Sequence, residues 1–381
     1  MLTRPEVTVA TTIFSEMSAL AVQYDAINLG QGFPDTPGPR EVVDAAVAAM
    51  HRGLNQYPPA IGVPALREAI CAHQKRFYGL ELDPASQVVV CAGASEALSS
   101  ALVALVGPGD EVIALEPFYD LYQATSVLVG ASLVPVRISA PDYRLDPELL
   151  RAAVTERTKV ILLNSPHNPT GAVLSRAELE AVAAVAIEHD LIVITDEVYE
   201  HLLFDDEVHI PISTLPGMAE RTIAVSSAGK TFSVTGWKIG WATGPAELVE
   251  KVLGVKQWFS FASGTPLQHA VAVGLELPEE RFALMGRELQ AKRDLLTDGL
   301  RDLGMEVYHS KASYFVTADI APLGETDSLE FCRSLPARVG VAAVPNQVFH
   351  ASPVGVETQV RFACCKRDEV LSDALLRLRK L

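Results

Sequence analysis

The sequence lacks long apolar runs and an excess of positive charge, and both absences exclude classes of protein. No apolar stretch approaches the roughly 18 residues that a membrane-spanning helix needs, so we expect no membrane segment. The 381 residues include 31 Lys and Arg against 47 Asp and Glu, which gives a net charge of −16. Nucleic-acid affinity depends mainly on cations that neutralise phosphates, so we expect no nucleic-acid partner. Hydrophobic residues make up 49% of the chain, which excludes a disordered or fibrous protein.

Patterns that would indicate disulfides, metal ligands or a serine nucleophile are also missing. The five cysteines form no CxxC pair and are odd in number, which is typical of reduced thiols in a cytoplasmic protein. The nine histidines form no HExxH motif, and we expect no metal site. No GxSxG elbow is present. Residues 1–17 hold one Arg and no apolar core, so we expect no secretory signal.

Short apolar segments alternate with helical patterns between residues 88 and 275. Helices are predicted over 95–106, 175–189 and 246–259. Seven segments are β-branched or apolar and end at Gly, Pro, Asn or Asp, as strands buried on both faces do. They are 88–91, 111–115, 132–136, 159–163, 191–195, 222–226 and 238–242. Strands that alternate with helices predict an α/β fold, in which helices cover both faces of a mostly parallel sheet.

The pattern changes after about residue 275. A charged amphipathic stretch at 279–303 predicts a long helix, and another helix is expected over 367–381. The segments between them are shorter and favour strands. These predicted strands are 305–309, 313–319, 341–344 and 359–363. We therefore predict a smaller α+β domain after the large α/β domain.

Polar residues directly follow three of the predicted strands. The segment 164–171 (NSPHNPTG) follows one strand, Asp196 and Tyr199 follow the next, and 226–230 (SSAGK) ends a third. Each segment alone is typical of a turn or a helix cap. Because the carboxyl ends of parallel strands meet at one edge of a sheet, the three together predict a ligand site.

Eight segments carry a specific pattern that extends along almost the whole chain. They are NLGQGFPD (28–35), NQYPP (55–59), GASEAL (93–98), EPFYDLY (116–122), NSPHNPTG (164–171), TDEVYEH (195–201), SSAGKTFSVTGWKIGW (226–241) and VRFAC (360–364). In these segments the chain resembles the class I and II aminotransferases of fold type I, which use pyridoxal 5'-phosphate. The kynurenine and glutamine aminotransferases and the actinobacterial N-succinyldiaminopimelate aminotransferases form the most similar branch. The resemblance implies a seven-stranded sheet in a large domain, 36–275, and a discontinuous small domain, 1–35 with 276–381.

The resemblance implies a role for each residue that faces the cofactor ring. Lys230 would carry pyridoxal phosphate covalently and then act as general base and acid on the substrate. Asp196 would pair with the protonated ring nitrogen, which also resolves the burial of a carboxylate at the end of an apolar strand. Asn168 and Tyr199 would hydrogen-bond the phenolic oxygen. Tyr119 would stack on the ring, although a buried aromatic residue of no special function is a fair alternative.

The resemblance also implies which residues bind the phosphate group of the cofactor. Gly93, Ala94 and Ser95 lie between a predicted strand and a predicted helix, where backbone N–H groups bind anions. Ser227 and Lys238 complete the implied phosphate contacts. Lys238 could instead be a surface lysine, since its spacing alone gives no signal.

Substrate contacts are implied at the two ends of the chain. Arg361 would hold the substrate α-carboxylate through two parallel hydrogen bonds, although an outward-facing strand arginine is the alternative from the sequence alone. Gly32 and Asn168 would contact the substrate as well. The implied pocket residues are Phe14, Phe33 and Tyr57. In relatives the tyrosine at the place of Tyr57 reaches the phosphate of the neighbouring subunit, which implies a homodimer with shared active sites.

The expected reaction is the transfer of an amino group from an L-amino acid to a 2-oxo acid in two half-reactions, through pyridoxal and pyridoxamine phosphate. Neutral or aromatic donors such as methionine, glutamine and kynurenine are favoured, because no second basic residue can be assigned to a succinyl carboxylate. An N-succinyldiaminopimelate aminotransferase of lysine biosynthesis stays open as an alternative. So does a pyridoxal-phosphate-dependent β-C–S lyase on the same scaffold.

Overall fold

The computed structural model describes residues 12–381, which contain thirteen α-helices and thirteen strands. The helices are α1 (Ile13–Gln23), α2 (Arg40–His51), α3 (Pro64–Tyr78), α4 (Gly93–Leu105), α5 (Asp120–Leu128), α6 (Pro147–Ala152), α7 (Arg176–Glu188), α8 (Ala228–Thr231), α9 (Ala246–Phe259), α10 (Thr265–Leu275), α11 (Glu279–Asp302), α12 (Ser328–Val339) and α13 (Asp368–Leu378). The strands are β1 (Ile27–Asn28), β2 (Val88–Cys91), β3 (Glu111–Glu116), β4 (Ser132–Arg137), β5 (Thr158–Asn164), β6 (Ile192–Asp196), β7 (Thr222–Ser227), β8 (Gly240–Thr243), β9 (Glu306–Val307), β10 (Phe315–Asp319), β11 (Val341–Ala342), β12 (Val344–Pro345) and β13 (Gln359–Ala363).

The central sheet has seven strands in the order β2-β8-β7-β6-β5-β3-β4, which confirms the predicted α/β architecture. Strands β3 to β7 pair in parallel, whereas β8 is antiparallel to both of its neighbours. All the residues of β2, β3 and β8 are buried, which explains why their apolar residues follow one another without alternation, between Glu111 and Glu116 in β3. The predicted strand at 238–242 begins two residues too early, because Lys238 has a left-handed backbone (φ +53°) that ends a turn.

Helix ends are fixed by local signals that the sequence also carries. Ser175 and Glu178 form a complete capping box at the start of α7, in which each side chain accepts from the backbone N–H of the other residue. Pro64 occupies the first turn of α3, and Gly79 ends that helix with a left-handed backbone (φ +71°). These signals determine where α3 and α7 begin or end.

A second, antiparallel sheet of order β12-β13-β10-β9 lies in the last third of the chain. The predicted strand at 341–344 is two short strands, because β11 pairs with β1 near the N-terminus while β12 pairs with β13. Met17 and Leu29 are fully buried in the same hydrophobic cluster as Phe331 and Phe362. The segment before residue 36 therefore packs with the C-terminal elements.

Within residues 12–381, no helix combines the length and the apolar character that a membrane crossing requires.

Candidate active site

A cleft of about 430 Å³ opens where β5, β6 and β7 end. Asn164, Asp196 and Ser227 are the last residues of these three parallel strands. Of the site residues predicted from the sequence, all except Tyr57 line this cleft. They are Phe14, Gly32, Phe33, Gly93, Ala94, Ser95, Tyr119, Asn168, Asp196, Tyr199, Ser227, Lys230, Lys238 and Arg361. The structure thus brings together residues that are up to 347 positions apart (361 − 14).

Lys230 lies on the short helix α8, which begins directly after β7. The Ser227 hydroxyl caps this helix by accepting a hydrogen bond from the Gly229 N–H at 3.1 Å. The Lys230 Nζ donates to the carbonyl oxygen of Gly32 at 3.3 Å and lies 5.5 Å from the centroid of the Tyr314 ring. The amine therefore points into the cleft from its floor.

The electrostatic environment of Lys230 favours the neutral amine. Burial lowers the pKa of Lys230 from its usual value, and the positive charges of Arg361 and Lys238 lower it further. Cys365 and Asp196 oppose this shift. A lysine with a lowered pKa can act as a nucleophile and as a base near neutral pH.

Asp196 ends β6 with its carboxylate buried beside the cleft. The Tyr122 hydroxyl donates to Oδ2 at 2.7 Å, and the Val198 N–H donates to Oδ1 at 3.4 Å. Burial still raises the pKa of Asp196 to about 6, against these hydrogen bonds and the nearby charge of Lys230. A buried carboxylate with so few donors is a ready partner for a cationic group in the cleft.

The turn into α4 forms an anion cradle at one end of the cleft. Gly93 has a left-handed backbone (φ +79°), and the N–H groups of Ala94 and Ser95 stand at the N-terminus of this 13-residue helix. Gly240 of β8 packs against the same turn so closely that a Cβ there would lie 2.6 Å from the Ala94 nitrogen. The Lys238 Nζ lies 3.2 Å from the place of a Cβ on Gly93. Backbone dipoles and a cation therefore converge here.

Arg361 lies on β13 and is only 2% exposed, so it is not an outward-facing strand residue. Its guanidinium donates to Asn168 Oδ1 at 2.9 Å and to the Gly30 carbonyl at 3.0 Å. Its Nε–H is buried without a partner. The guanidinium carbon lies 3.9 Å from the Phe315 ring centroid and 4.7 Å from that of Phe349. Burial lowers the pKa of Arg361 to about 10, so the group keeps its positive charge at neutral pH.

The family model for aminotransferase class I and II matches residues 24–378. The chain belongs to this family. The probable N-succinyldiaminopimelate aminotransferase of Mycobacterium tuberculosis is 50% identical over 380 residues, covering 97% of this chain and 96% of that protein. The methionine aminotransferase of Escherichia coli is 40% identical and covers 97% and 96%. Kynurenine–oxoglutarate transaminase 3 of Mus musculus is 36% identical and covers 96% and 86%.

The solved structure of the mycobacterial N-succinyldiaminopimelate aminotransferase superposes with a TM-score of 0.96 at 48% identity, covering 100% of this chain and 99% of that one. The chain is therefore an aminotransferase with the fold that its motifs predicted. Enzymes of this family use pyridoxal phosphate.

Several residues of this aminotransferase site were not predicted. Tyr122, which donates to Asp196, lies inside a quoted motif, but nothing in the sequence pairs a tyrosine with a carboxylate 74 residues away. Phe315, which stacks on Arg361, comes from the neighbouring strand β10. Gln31 also lines the cleft, and its amide donates to the Phe14 carbonyl at 3.1 Å. Only the pairing of strands and helices reveals these contacts.

Tyr57 lies outside the cleft, unlike the other predicted site residues. Its side chain is 86% exposed and stands edge-on to Phe261, with ring centroids 5.8 Å apart. Within one chain it therefore makes no contact with the other site residues, and its role towards a neighbouring subunit stays a prediction.

One buried cluster among residues 12–381 has ligand types suited to a metal: His73, Glu200 and His201. The two Nε2 atoms are 2.6 Å apart, the distance of a hydrogen bond. Two nitrogens that ligate one zinc ion at about 2.0 Å with tetrahedral angles stand roughly 3.3 Å apart. Burial lowers the pKa of His73 to about 3, so this pair is neutral. The pair joins α3 to the turn after β6.

Proposed function

We propose that this aminotransferase binds pyridoxal phosphate in the cleft through Lys230 and transfers amino groups from neutral or aromatic L-amino acids. The buried carboxylate of Asp196 carries the proposal, because it faces the cleft with few donors and calls for a cationic partner such as a protonated ring nitrogen. The anion cradle at Ala94 and Ser95 suits a phosphate group. When bound, this cofactor withdraws electrons from the substrate carbon that loses its proton.

Lys230 supplies the proton transfers in this proposal. Its buried Nζ has a lowered pKa, which favours its role as the base that takes the proton from the substrate Cα and returns it afterwards. Asp196 keeps the ring nitrogen protonated, and the Tyr122 hydroxyl holds the carboxylate in place at 2.7 Å. Tyr199 and Asn168 are proposed to bind the phenolic oxygen, and Tyr119 to stack on the ring.

Arg361 binds the substrate carboxylate in this proposal. Two of its nitrogens are held by Asn168 and Gly30, which fixes the orientation of the guanidinium plane. The Nε–H is buried without a partner, and such a group is costly until an acceptor arrives. A carboxylate supplies that acceptor.

The walls of the cleft support a neutral or aromatic donor. Phe14, Phe33 and Phe315 line it together with Tyr119. Within residues 12–381 the cations that line it are Lys230, Lys238 and Arg361, each of which already has a proposed role. The names of the Escherichia coli and Mus musculus relatives, methionine aminotransferase and kynurenine–oxoglutarate transaminase, agree with this choice. The 50% identity to the mycobacterial relative favours N-succinyldiaminopimelate as a second candidate donor.

A half-reaction screen tests the donor. The protein loaded with pyridoxal phosphate is mixed with single amino donors without any oxo acid, and the loss of absorbance of the lysine-linked cofactor is followed. The donors are methionine, glutamine, phenylalanine, kynurenine, glutamate and N-succinyldiaminopimelate. Bleaching by several neutral or aromatic donors supports the proposal. Bleaching by the succinylated diamine alone contradicts it, and release of pyruvate and ammonia from a β-thio amino acid indicates a C–S lyase.

Replacement of Lys230 tests the covalent link. We expect Lys230→Ala to abolish turnover and to leave no borohydride-reducible bond between protein and cofactor. The other lysine that lines the cleft, Lys238, is proposed to bind the phosphate group instead. Lys251→Ala changes an exposed lysine of α9 and serves as the control. Retained turnover in Lys230→Ala would refute the proposal.

We propose further that the enzyme works as a homodimer in the cytoplasm. The exposed Tyr57 and the 83% exposed Trp258 support a second copy over this face. All five cysteines are free thiols, as in proteins of reducing compartments.

The joint packing of Met17 and Leu29 with C-terminal residues supports the proposed division of the chain into a large domain, 36–275, and a discontinuous small domain, 1–35 with 276–381.

A further inference from the structure

Three cations bind three backbone carbonyls of one short segment beside the cleft. Arg361 donates to the Gly30 carbonyl at 3.0 Å, and Lys230 donates to that of Gly32 at 3.3 Å. Lys366 donates to the Phe33 carbonyl at 2.6 Å. The first two cations have proposed roles in the chemistry, whereas Lys366 has none and is assigned here only to the segment.

Lys366 holds the side chain of Phe33 as well as its backbone. Its Nζ lies 3.8 Å from the centroid of the Phe33 ring, within the range of a cation–π interaction. Lys366 is only 4% exposed, and a desolvated ammonium binds an aromatic face more strongly than an exposed one does. One buried ammonium thus fixes both the position of the residue and the orientation of its ring.

Packing covers Phe33 only in part. The residue lines the cleft and is 42% exposed, so part of its surface has no packing partner. The backbone before it packs closely on Phe315, since a Cβ on Gly32 would lie 2.4 Å from that ring. The ring is therefore the part of this segment whose position depends on Lys366.

We propose that Lys366 is a positioning residue that holds Phe33 as a wall of the cleft against the donor side chain, and thereby sets the preference for large apolar donors over small ones. The inference rests on the proposed function. A donor with its amine at Lys230 and its carboxylate at Arg361 lies along the segment Gly30–Phe33, because both cations contact it. We expect the single methyl group of alanine to be too short to touch this wall, and the longer side chain of phenylalanine to reach it.

The test compares two donors in Lys366→Met, which keeps the length of the side chain and removes the charge. We expect the ratio of kcat/KM for phenylalanine over alanine in the half-reaction to fall about fivefold, through KM. Inhibition by 3-phenylpropanoate should weaken by a similar factor, while inhibition by propanoate stays unchanged. The absorbance of the bound cofactor should also stay unchanged. Lys380→Met, at an exposed lysine, is the matched control.

A double-mutant cycle separates positioning from general packing. Phe33→Ala should lower the same ratio, and adding Lys366→Met to it should have no further effect. An equal loss for both donors, or additive losses in the double variant, would overturn the inference. If Lys366→Met does not fold, Lys366→Gln tests the same ratio without the charge. If the wild-type enzyme reacts with both donors and Lys366→Met has the same ratio of kcat/KM for phenylalanine over alanine, this inference alone is overturned. If the wild-type enzyme reacts with no amino donor, the proposed function is overturned too.

Discussion

At the scale of single residues, the charged groups of the cleft are buried, and burial shifts each pKa towards the neutral form. The pKa of Asp196 rises to about 6, that of Arg361 falls to about 10, and that of Lys230 falls. The charged form of each group lowers the stability of the protein without a ligand, and the same group can bind a ligand of opposite charge. Function and stability therefore oppose each other at these positions.

Asp196 offers a direct test of this opposition. Between the usual aspartate pKa of 3.8 and the folded pKa of about 6, the folded chain binds more protons than the unfolded chain. Stability therefore falls as pH rises through this window, and the loss is complete above it. We expect apo Asp196→Asn to be more stable than the wild-type apoprotein by about 3 kcal/mol at pH 7 to 8. Below pH 4 this advantage should disappear.

Urea unfolding of both apoproteins from pH 4.5 to pH 8 measures this difference. Asparagine can still accept the hydrogen bond of Tyr122, but its amide nitrogen then replaces the oxygen that accepts from the Val198 N–H at 3.4 Å. The change of the stability difference with pH, rather than its size at one pH, therefore reports the charge. A stability difference that does not grow between pH 4.5 and pH 6 would show that the carboxylate is not the cause.

The guanidinium group of Arg361 offers a second test at this scale. We expect Arg361→Lys to raise KM for amino donors about 10- to 100-fold, because lysine keeps the charge but cannot form two parallel hydrogen bonds. The spectrum of the bound cofactor should not change. Half-reaction kinetics and cofactor titration measure the two effects, and loss of the cofactor would mean that Arg361 does not serve the substrate.

The sequence predicted most of the residues that line this cleft, and missed those, such as Tyr122 and Phe315, that act through a contact with a predicted residue. Lys230 and Asp196 follow strands in long specific segments. Phe315 has no pattern of its own, because an aromatic residue in a strand is ordinary core until its neighbour is known to be Arg361. Contacts across paired strands depend on register, which the sequence alone does not specify.

At the scale of elements, the turn into α4 depends on a close approach by β8. A Cβ on Gly240 would lie 2.6 Å from the Ala94 nitrogen, so Gly240→Ala must push the N-terminus of α4 away. We expect the dissociation constant of pyridoxal phosphate to rise at least about tenfold, since the N–H groups of this turn are the proposed phosphate donors. Fluorescence titration of the apoprotein measures it.

Gly254→Ala on α9 is the matched control, because a Cβ there meets no atom within 4 Å. We expect this variant to bind the cofactor as the wild type does and to be slightly more stable, since alanine is the better helix former. Equal cofactor affinity in Gly240→Ala and Gly254→Ala would show that the cradle does not hold the phosphate.

The positions of the buried strands were predicted well, because an apolar segment is a local signal. The direction of a strand relative to its neighbours was predicted less well, because it depends on residues that are distant in the sequence. Seven apolar segments gave the seven strands, yet nothing in 238–242 indicates that β8 runs against its neighbours. The helices α1, α2 and α3 lie before residue 88, where β1, with only two residues, is the one strand among them in the described part of the chain. For α3 the end signals were present in Pro64 and Gly79.

At the scale of the whole molecule, exposed aromatic residues gather on one face. Trp258 and Phe259 end α9 with exposures of 83% and 59%, and Phe261 packs against the exposed Tyr57. The buried Lys256 ties this face together, since its Nζ donates to the carbonyls of Ala60 at 2.5 Å and Phe261 at 2.7 Å. An exposed apolar surface of this kind is typical of an interface.

A substitution on this face tests the dimer and the shared site together. We expect the wild type to sediment at twice the chain mass, and Trp258→Glu to sediment as a single chain, because a carboxylate at the centre of an apolar interface would be buried without a partner. Cofactor affinity should fall in the same variant, since Tyr57 would no longer reach the neighbouring phosphate. Leu376→Glu, at a 61% exposed position of α13, should change neither property. A monomeric wild type with full activity would contradict the shared site, and a dimeric Trp258→Glu would place the interface elsewhere.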